Sequence, residues 1–284
     1  MHNLEKINIF KEHAKTFYLA SLFFNKETFE KVINLYSFCR INDDLVDTPD
    51  TNFSYNSLSD LEEKLKSYGI EEQVISQLQN GISSDINFDH IQNHANLIIY
   101  CYRVAGTVGL MMCKIMKLKK NEANYFAIDL GIAMQLTNII RDIKADALIG
   151  RVYIPDQDIK AKDIVDESKS KFRVIKNNAQ NLELLASHYY ESALHGLRFI
   201  PLRSRFVILI ALRLYQAIGK KVLRKNHIYS DKKLYINMFE KILIIISPVI
   251  PHLANECLEK FKYNQNLAWP LVEEKFLKKD VSLV

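Results

Sequence analysis

Residues 127–155 read AIDLGIAMQLTNIIRDIKADALIGRVYIP, and this stretch decides the fold class that the sequence predicts. Apolar residues fill most of its positions, which indicates a long and largely buried helix. Four polar side chains follow one another at steps of three, four and four and therefore share one helix face, namely Gln135, Asn138, Asp142 and Asp146. Because unpaired charge is costly away from water, this polar stripe requires a partner.

A second acidic cluster ends the amphipathic pattern of residues 26–47, KETFEKVINLYSFCRINDDLVD. Asp43 and Asp47 lie four positions apart and share a helix face, with Asp44 between them. The helix macrodipole favours cations at the C-terminal end of a helix. Carboxylates placed against this preference indicate a compensating partner, such as a metal ion.

The two acidic helices are separated by about 95 positions, enough chain to bring them face to face across a helical bundle. Facing carboxylates repel each other unless cations lie between them. Mg²⁺, for which Mn²⁺ can substitute, suits such a site because it completes its octahedral shell with water and phosphate oxygens. The spacing alone leaves two plainer interpretations open, solvated acids on helix surfaces and a structural network of ion pairs.

The composition supports an all-α single-domain bundle. Glycine and proline number only 8 and 6 among 284 residues, and 48% of the chain is hydrophobic. Within a helix predicted over residues 88–116, Ala105, Gly106 and Gly109 remove side-chain bulk, as expected where another helix or an apolar ligand comes close. A further short helix is predicted to end at Gly81.

The cellular setting is predicted from absences in the sequence. The four cysteines form no CxxC pair, so neither a disulfide framework nor a zinc site is indicated. No secretory signal is evident, and the apolar run 97–112 is interrupted by Arg103. We expect a cytoplasmic protein that is peripheral to a membrane at most. The net charge of +5 is scattered along the chain, so no nucleic-acid partner is expected.

Four stretches carry a family resemblance: HAKTFYLAS, LYSFCRINDDLVD, YCYRVAGTVGLMM and LGIAMQLTNIIRDIKADALIGRVYIP. From about His13 to Lys233 the chain resembles the squalene and phytoene synthases, which are head-to-head prenyl transferases, and it is most similar to the bacterial phytoene synthases. The resemblance implies an isoprenoid synthase bundle with a central cavity. It also implies condensation of two geranylgeranyl diphosphates through prephytoene diphosphate to 15-cis-phytoene, with Mg²⁺ and without NADPH.

The resemblance assigns roles to individual residues. It implies metal binding by Asp43, Asp47, Asn138, Asp142 and Asp146, and adds Asp44 and Arg40 to the catalytic set. It implies a substrate diphosphate site lined by Lys15, Thr16, Arg40, Gln135, Asn138, Arg141, Arg151, Tyr153 and Tyr215. Ala145 stands where many relatives have an acid, which implies a weaker third metal position.

The last part of the chain resembles a different family. From about residue 237, the stretches SPVIPHLANECLEK and LAWPLVEEKFLKKDVSLV resemble the C-terminal part of the anticodon-binding domain of leucyl-tRNA synthetases. A synthase domain over residues 1–236 and a helical appendage over residues 237–284 are therefore predicted. The appendage is too short to predict tRNA binding, and a fusion or an assembly error joining two reading frames explains it better.

Three alternatives to phytoene synthesis stay open at this point. The first is a synthase that converts farnesyl diphosphate to presqualene diphosphate or squalene. The second is a non-catalytic member of the same fold, against which the intact acidic pairs argue. The third is an RNA-binding helical module, which only the C-terminal resemblance supports.

Overall fold

The computed structural model describes residues 3–47, 55–86, 88, 90–224 and 228, and helices dominate this part of the chain. The elements are α1 Asn3–His13, α2 Lys15–Ser21, α3 Lys26–Asp47, α4 Tyr55–Ser67, α5 Glu72–Ser83, α6 His94–Cys101, a π-helical segment Tyr102–Gly106, α7 Thr107–Ile115, α8 Glu122–Leu148, α9 Ala161–Val165, α10 Lys169–Gly196, a 3₁₀ turn Leu197–Phe199 and α11 Leu202–Arg224. Over the described ranges, β-type pairing is limited to an isolated bridge between His90 and Val152. The all-α prediction is confirmed.

Helix α8 forms the centre of the bundle, with α10, α7, α11 and the π-helical segment packed around it. Its apolar positions Ile132, Ala133, Leu136 and Ile140 are fully buried, as the periodicity predicts. Helix α3 begins and ends at the predicted residues, Lys26 and Asp47. The two acidic segments therefore lie on two long helices of one bundle.

Glycines allow the α8 backbone to approach those of α7 and of the π-helical segment closely. A Cβ atom added to Gly109 would lie 2.1 Å from the Ala127 carbonyl oxygen, and one added to Gly131 would lie 2.3 Å from that of Ala105. Both distances are far below van der Waals contact, so the close approach requires glycine. The expectation that a helix approaches the small residues of the 88–116 segment is thereby confirmed.

Some helix ends differ from the prediction, since the helix expected over residues 88–116 begins only at His94. Gly81 was expected to end a helix, but α5 continues through it to Ser83. A Cβ atom at Gly81 would lie 2.6 Å from the Cβ of Arg103. The glycine therefore allows the π-helical segment to pack closely against α5 and does not end the helix. The same residue type that marks a helix end in the sequence serves here for helix packing.

The stretch His94–Ile115, which comprises α6, the π-helical segment and α7, is long and apolar enough to cross a membrane by length and composition. An 18-residue segment within this stretch has a mean hydropathy of 1.3, and 56% of that segment is buried inside the protein. Packing against α5 and α8 accounts for this apolar composition, since a central helix of a bundle meets the same criterion. The predicted appendage, residues 237–284, lies outside the described residues, and its boundary stays a prediction.

Candidate active site

An apolar cavity of about 310 Å³ runs through the bundle beside α8. Its walls come from α2, α3, the π-helical segment, α7, α8, α10 and α11, and are mainly small and aliphatic side chains. Polar groups are confined to a few positions, chiefly Gln135, Asn138, Tyr36 and Tyr215. Such a cavity suits a long hydrocarbon whose polar part lies at one end.

On α8 the cavity wall and the acidic stripe are continuous. The wall residues recur at helical spacing from Ala123 to Asn138, a length of about 22 Å at 1.5 Å per residue. Asp142 follows Asn138 after one further turn, and Asp146 follows after another. The helix face that lines the cavity therefore turns from apolar to amide to carboxylate toward its C-terminal end.

Helix α3 shows the same progression in the same direction. Its wall residues Val32, Leu35, Tyr36 and Cys39 are succeeded one turn later by Asp43. Tyrosines link the two carboxylate ends. Burial raises the pKa of Tyr36, Arg40 opposes that shift, and Tyr215 and Asp43 add to it.

Burial also raises the pKa of Tyr215. Arg141 opposes this shift, and Asp142 adds to it. Tyr36 is thus influenced by Asp43 and by Tyr215, and Tyr215 is influenced by Asp142, so the two cavity-lining tyrosines place both acidic helix ends at the same end of the cavity.

Arginines neutralise part of the acidic charge. Arg141 donates from Nε to Oδ1 of Asp142 over 2.9 Å and from Nη2 to Oδ2 over 2.6 Å. Arg40 makes the equivalent two-pronged pair with Asp44, one turn along α3. The Arg40 pair offsets the unfavourable position of Asp44 in the last turn of α3, and the Arg141 pair partly neutralises Asp142. Ion pairing, one of the plainer interpretations of the acidic residues, therefore applies to Asp44 and Asp142.

Asn138 supplies the observation that bears on metal binding. Its side-chain nitrogen donates to Gln135 Oε1 over 3.3 Å, whereas its buried Oδ1 has no hydrogen-bond partner. Amide oxygens are ligands that Mg²⁺ accepts, so an orphaned oxygen one turn from Asp142 fits a cation position. In the described part of the chain no group of three or more His, Cys, Asp or Glu side chains forms a metal cluster.

The segment after α8 carries two further predicted residues, Arg151 and Tyr153. Arg151 and Tyr153 line a small cavity together with Asp146, and the Arg151 amide donates to the Asp146 carbonyl over 2.9 Å. The Tyr153 hydroxyl, however, donates to Asp85 Oδ1 over 2.9 Å. Tyr153 therefore lies near the second acidic pair with its hydroxyl directed toward the α5–α6 connection.

The remaining predicted residues can be placed only by their backbone. Lys15 and Thr16 begin α2, and Asp47 ends α3. Their side chains lie outside the described part of the structure, so their roles stay predictions. Ala14 and Phe17 of the same α2 region line the cavity, which puts this segment beside the site.

Sequence reasoning missed Asp85 and Tyr100. Both tyrosine hydroxyls, of Tyr100 and Tyr153, donate to the two oxygens of Asp85 over 2.9 Å each. Phe88 and the two tyrosine rings form a stack with centroids 4.9 to 6.3 Å apart. Asp85 lies in a connection without periodicity, so the sequence offered no signal for it. Tyr100 stood in the quoted motif YCYRVAGTVGLMM but was assigned no role.

Comparisons with known proteins identify the family of this chain. Residues 10–67 and 54–240 match the squalene/phytoene synthase family. The chain is 32% identical over 268 residues to the 15-cis-phytoene synthase of Enterobacter agglomerans, an alignment that covers 82% of this chain and 90% of that protein. It is 30% identical to the chloroplastic phytoene synthase 1 of Zea mays over 84% of this chain and 65% of that longer protein.

A solved structure shares the fold. The crystal structure of a dehydrosqualene synthase in complex with ligand superposes with a TM-score of 0.73 at 24% identity, over 89% of this chain and 96% of that one. The bundle and its cavity define the class of all-α prenyl transferases. The chain belongs to the squalene/phytoene synthase family, so the predicted family, fold and enzyme class are confirmed.

Proposed function

We propose that the chain is a magnesium-dependent phytoene synthase, which condenses two geranylgeranyl diphosphates head to head to 15-cis-phytoene. One observation carries the proposal: the apolar walls of α3 and α8 both continue into carboxylates at one mouth of the cavity. When a diphosphate binds at this mouth, the prenyl chain attached to it extends into the cavity. The 32% identity to a bacterial 15-cis-phytoene synthase supports the choice of product.

Asp43, Asp142, Asp146 and the free Oδ1 of Asn138 would hold Mg²⁺, with Asp47 completing the first pair. Bound there, the ion supplies charge neutralisation that makes diphosphate a good leaving group. Arg40 and Arg141 keep the carboxylates oriented and can share their guanidinium groups with phosphate oxygens. Mn²⁺, with similar oxygen preferences, would substitute.

The chain's residues then protect the allylic cation that remains when diphosphate departs. Aliphatic walls exclude water, which would otherwise capture the cation. Burial, with a contribution from Asp43, raises the pKa of Cys39 well above its usual range, so the thiol stays neutral and weakly nucleophilic. The double bond of the second substrate attacks the cation instead, and loss of a proton closes the cyclopropane ring of prephytoene diphosphate. A second ionisation, ring rearrangement and proton loss give phytoene.

The length of the cavity favours the longer substrate. Its wall along α8 extends for about 22 Å, from Ala123 to Asn138. A four-isoprene chain can extend along this whole wall, whereas a three-isoprene chain would leave its end unfilled. Unfilled apolar space forfeits packing energy, so geranylgeranyl diphosphate is the favoured substrate.

The alternative is a synthase that acts on farnesyl diphosphate, because a dehydrosqualene synthase shares the fold. The deciding experiment offers each diphosphate separately with Mg²⁺ and without NADPH, followed by extraction and chromatography of the hydrocarbons. Phytoene from geranylgeranyl diphosphate is the expected result. Accumulation of presqualene diphosphate or dehydrosqualene from farnesyl diphosphate, with no phytoene from the longer substrate, would contradict the proposal.

A further inference from the structure

Three connections meet at the end of the bundle opposite the acidic mouth. They are residues 22–27 from the end of α2 into the start of α3, residues 117–122 up to the start of α8, and residues 198–203 from the 3₁₀ turn into the start of α11. We call this surface the basal face. Lys117 Nζ lies 3.1 Å from Glu27 Oε1, which joins the second connection to the first. Arg203 donates to the Phe23 carbonyl over 2.8 Å, which joins the third to the first.

The basal face combines exposed apolar side chains with positive charge. Leu22, Phe23 and Leu202 are 50%, 53% and 60% exposed. Single exposed apolar residues are ordinary on a protein surface, but three on adjoining connections form a patch. Six basic residues accompany them in these segments, against only two acids, Glu27 and Glu122: Lys26, Lys117, Lys119, Lys120, Arg198 and Arg203.

The cavity reaches this face. Leu118 and Ile200 line the apolar end of the cavity and also line a surface groove between residues 117–122 and 198–201. Lys120 lies 5.7 Å and Arg198 4.8 Å from the centroid of the Phe199 ring, which forms part of that groove. The far end of the hydrocarbon cavity is therefore separated from the basal surface by single side chains.

We propose that the basal face binds the surface of an anionic lipid bilayer and that the far end of the cavity delivers the hydrocarbon product there. Lys and Arg side chains attract anionic headgroups, while Leu22, Phe23 and Leu202 can enter the acyl boundary. The apolar component favours lipid over nucleic acid, which would need only the charges. Product delivery rests on the proposed function, whereas bilayer binding does not.

The test is sedimentation of the full-length protein with vesicles, in the absence of Mg²⁺ and substrate. We expect binding to vesicles of mixed phosphatidylglycerol and phosphatidylcholine, and binding at least tenfold weaker to phosphatidylcholine alone. Two double variants should each weaken binding to the mixed vesicles by roughly tenfold or more: Phe23→Ser with Leu202→Ser, and Lys119→Glu with Lys120→Glu. The matched control is Leu184→Ser on α10, where the leucine is 57% exposed away from the basal face; its binding should equal that of the wild type.

Three results would overturn the proposal. One is unchanged binding in both double variants. Another is loss of binding in a Leu148→Ser, Ile149→Ser variant at the acidic end, with the basal variants unaffected. The third is binding that depends on Lys119 and Lys120 but not on Phe23 and Leu202, and that RNA abolishes by competition. Turnover in detergent, measured separately, shows whether each variant is folded. Inactivity of the wild type would refute the proposed function without touching vesicle binding.

Discussion

Tyr153 and Asp85 are joined by a hydrogen bond of 2.9 Å across the connection between the second acidic pair and the α5–α6 region. Tyr100 donates to the other oxygen of the same carboxylate. Burial is the main reason that the pKa of both tyrosines is raised, so both hydroxyls stay protonated donors. Asp85 therefore fixes the segment that carries Arg151 against the bundle, although it lies far from α8 in the sequence.

Asp85→Asn should reduce turnover by positioning rather than by direct chemistry. A hydrogen bond to a charged group contributes roughly 1.5 to 3 kcal/mol, so its weakening predicts a loss of about 10- to 100-fold in kcat/KM. Tyr153→Phe should show a smaller loss of the same kind, because Asp85 keeps the bond from Tyr100. Steady-state kinetics with each variant checks this. Equal activity of Asp85→Asn and wild type would show that the segment holds its place without the carboxylate.

Asp142→Asn should reduce turnover about a thousandfold while leaving the helical content unchanged. The substitution removes one negative charge from the site and weakens the fork with Arg141. Excess Mg²⁺ should restore part of the activity if the lost charge held the cation. Asp158→Asn, an exposed aspartate in the connection after α8, is the matched control and should be fully active. Turnover and circular dichroism together give the measurement.

Gly131→Ala should destabilise the protein by about 2 kcal/mol or more, because its Cβ would lie 2.3 Å from the backbone oxygen of Ala105. Gly219→Ala on α11 provides the control. There the nearest atom to an added Cβ is 3.6 Å away, and alanine favours the helix by roughly 1 kcal/mol. Urea unfolding of both variants should give shifts of opposite sign. A stable Gly131→Ala variant would mean that α8 and the π-helical segment can separate at little cost.

Asp129 should make stability depend on pH. This carboxyl is 3% exposed on α8, and burial raises its pKa to about 7, against the opposing effect of the Ser192 hydroxyl that donates to it. The folded state then binds a proton that the unfolded state releases, so the unfolding free energy falls as pH rises from about 4 to about 7.

The loss between these limits is on the order of 4 kcal/mol at most. Asp129→Asn should flatten this part of the pH profile, since the amide does not ionise. Urea unfolding of wild type and variant at pH 5 and pH 8 measures the difference. A wild-type profile identical to that of the variant over this range would show that Asp129 is not protonated in the folded protein.

Phe126 should limit the length of the prenyl chain. It lines the far end of the cavity, and its ring stacks on Phe199 with centroids 5.8 Å apart. Phe126→Ala should raise the ratio of kcat/KM for a longer over a shorter prenyl diphosphate by about tenfold, and Ala123→Leu should lower that ratio. Competition assays with paired substrates give the ratio directly. A shift in the same direction for both variants would indicate a general loss of packing instead.

The sequence predicted the helix faces that border the cavity. The spacing of Asp43 on α3, and of Gln135, Asn138 and Asp142 on α8, indicated shared helix faces, and the structure continues those faces into one cavity. The pairing of Arg141 with its neighbour Asp142 was less accessible, because adjacent residues on a helix do not normally face each other.

Polar contacts between residues far apart in the chain could not be predicted from the sequence. Asp85 meets Tyr153 across 68 positions of chain, and Ser192 meets Asp129 across 63. No periodic pattern records such a pair, since it depends on how whole helices pack. Asp129 was hidden within a stretch read as apolar, although its burial against α10 gives it the pKa that matters for stability.

The parallel progression of α3 and α8 from apolar wall to carboxylate also constrains regiochemistry. Since both helices present their acids at one mouth, two bound diphosphates would enter by the same opening with their tails side by side. The first carbons of the two chains would then be neighbours, while the tail of one chain would be far from the head of the other. For two long chains, joining at the heads is therefore the outcome that this layout permits.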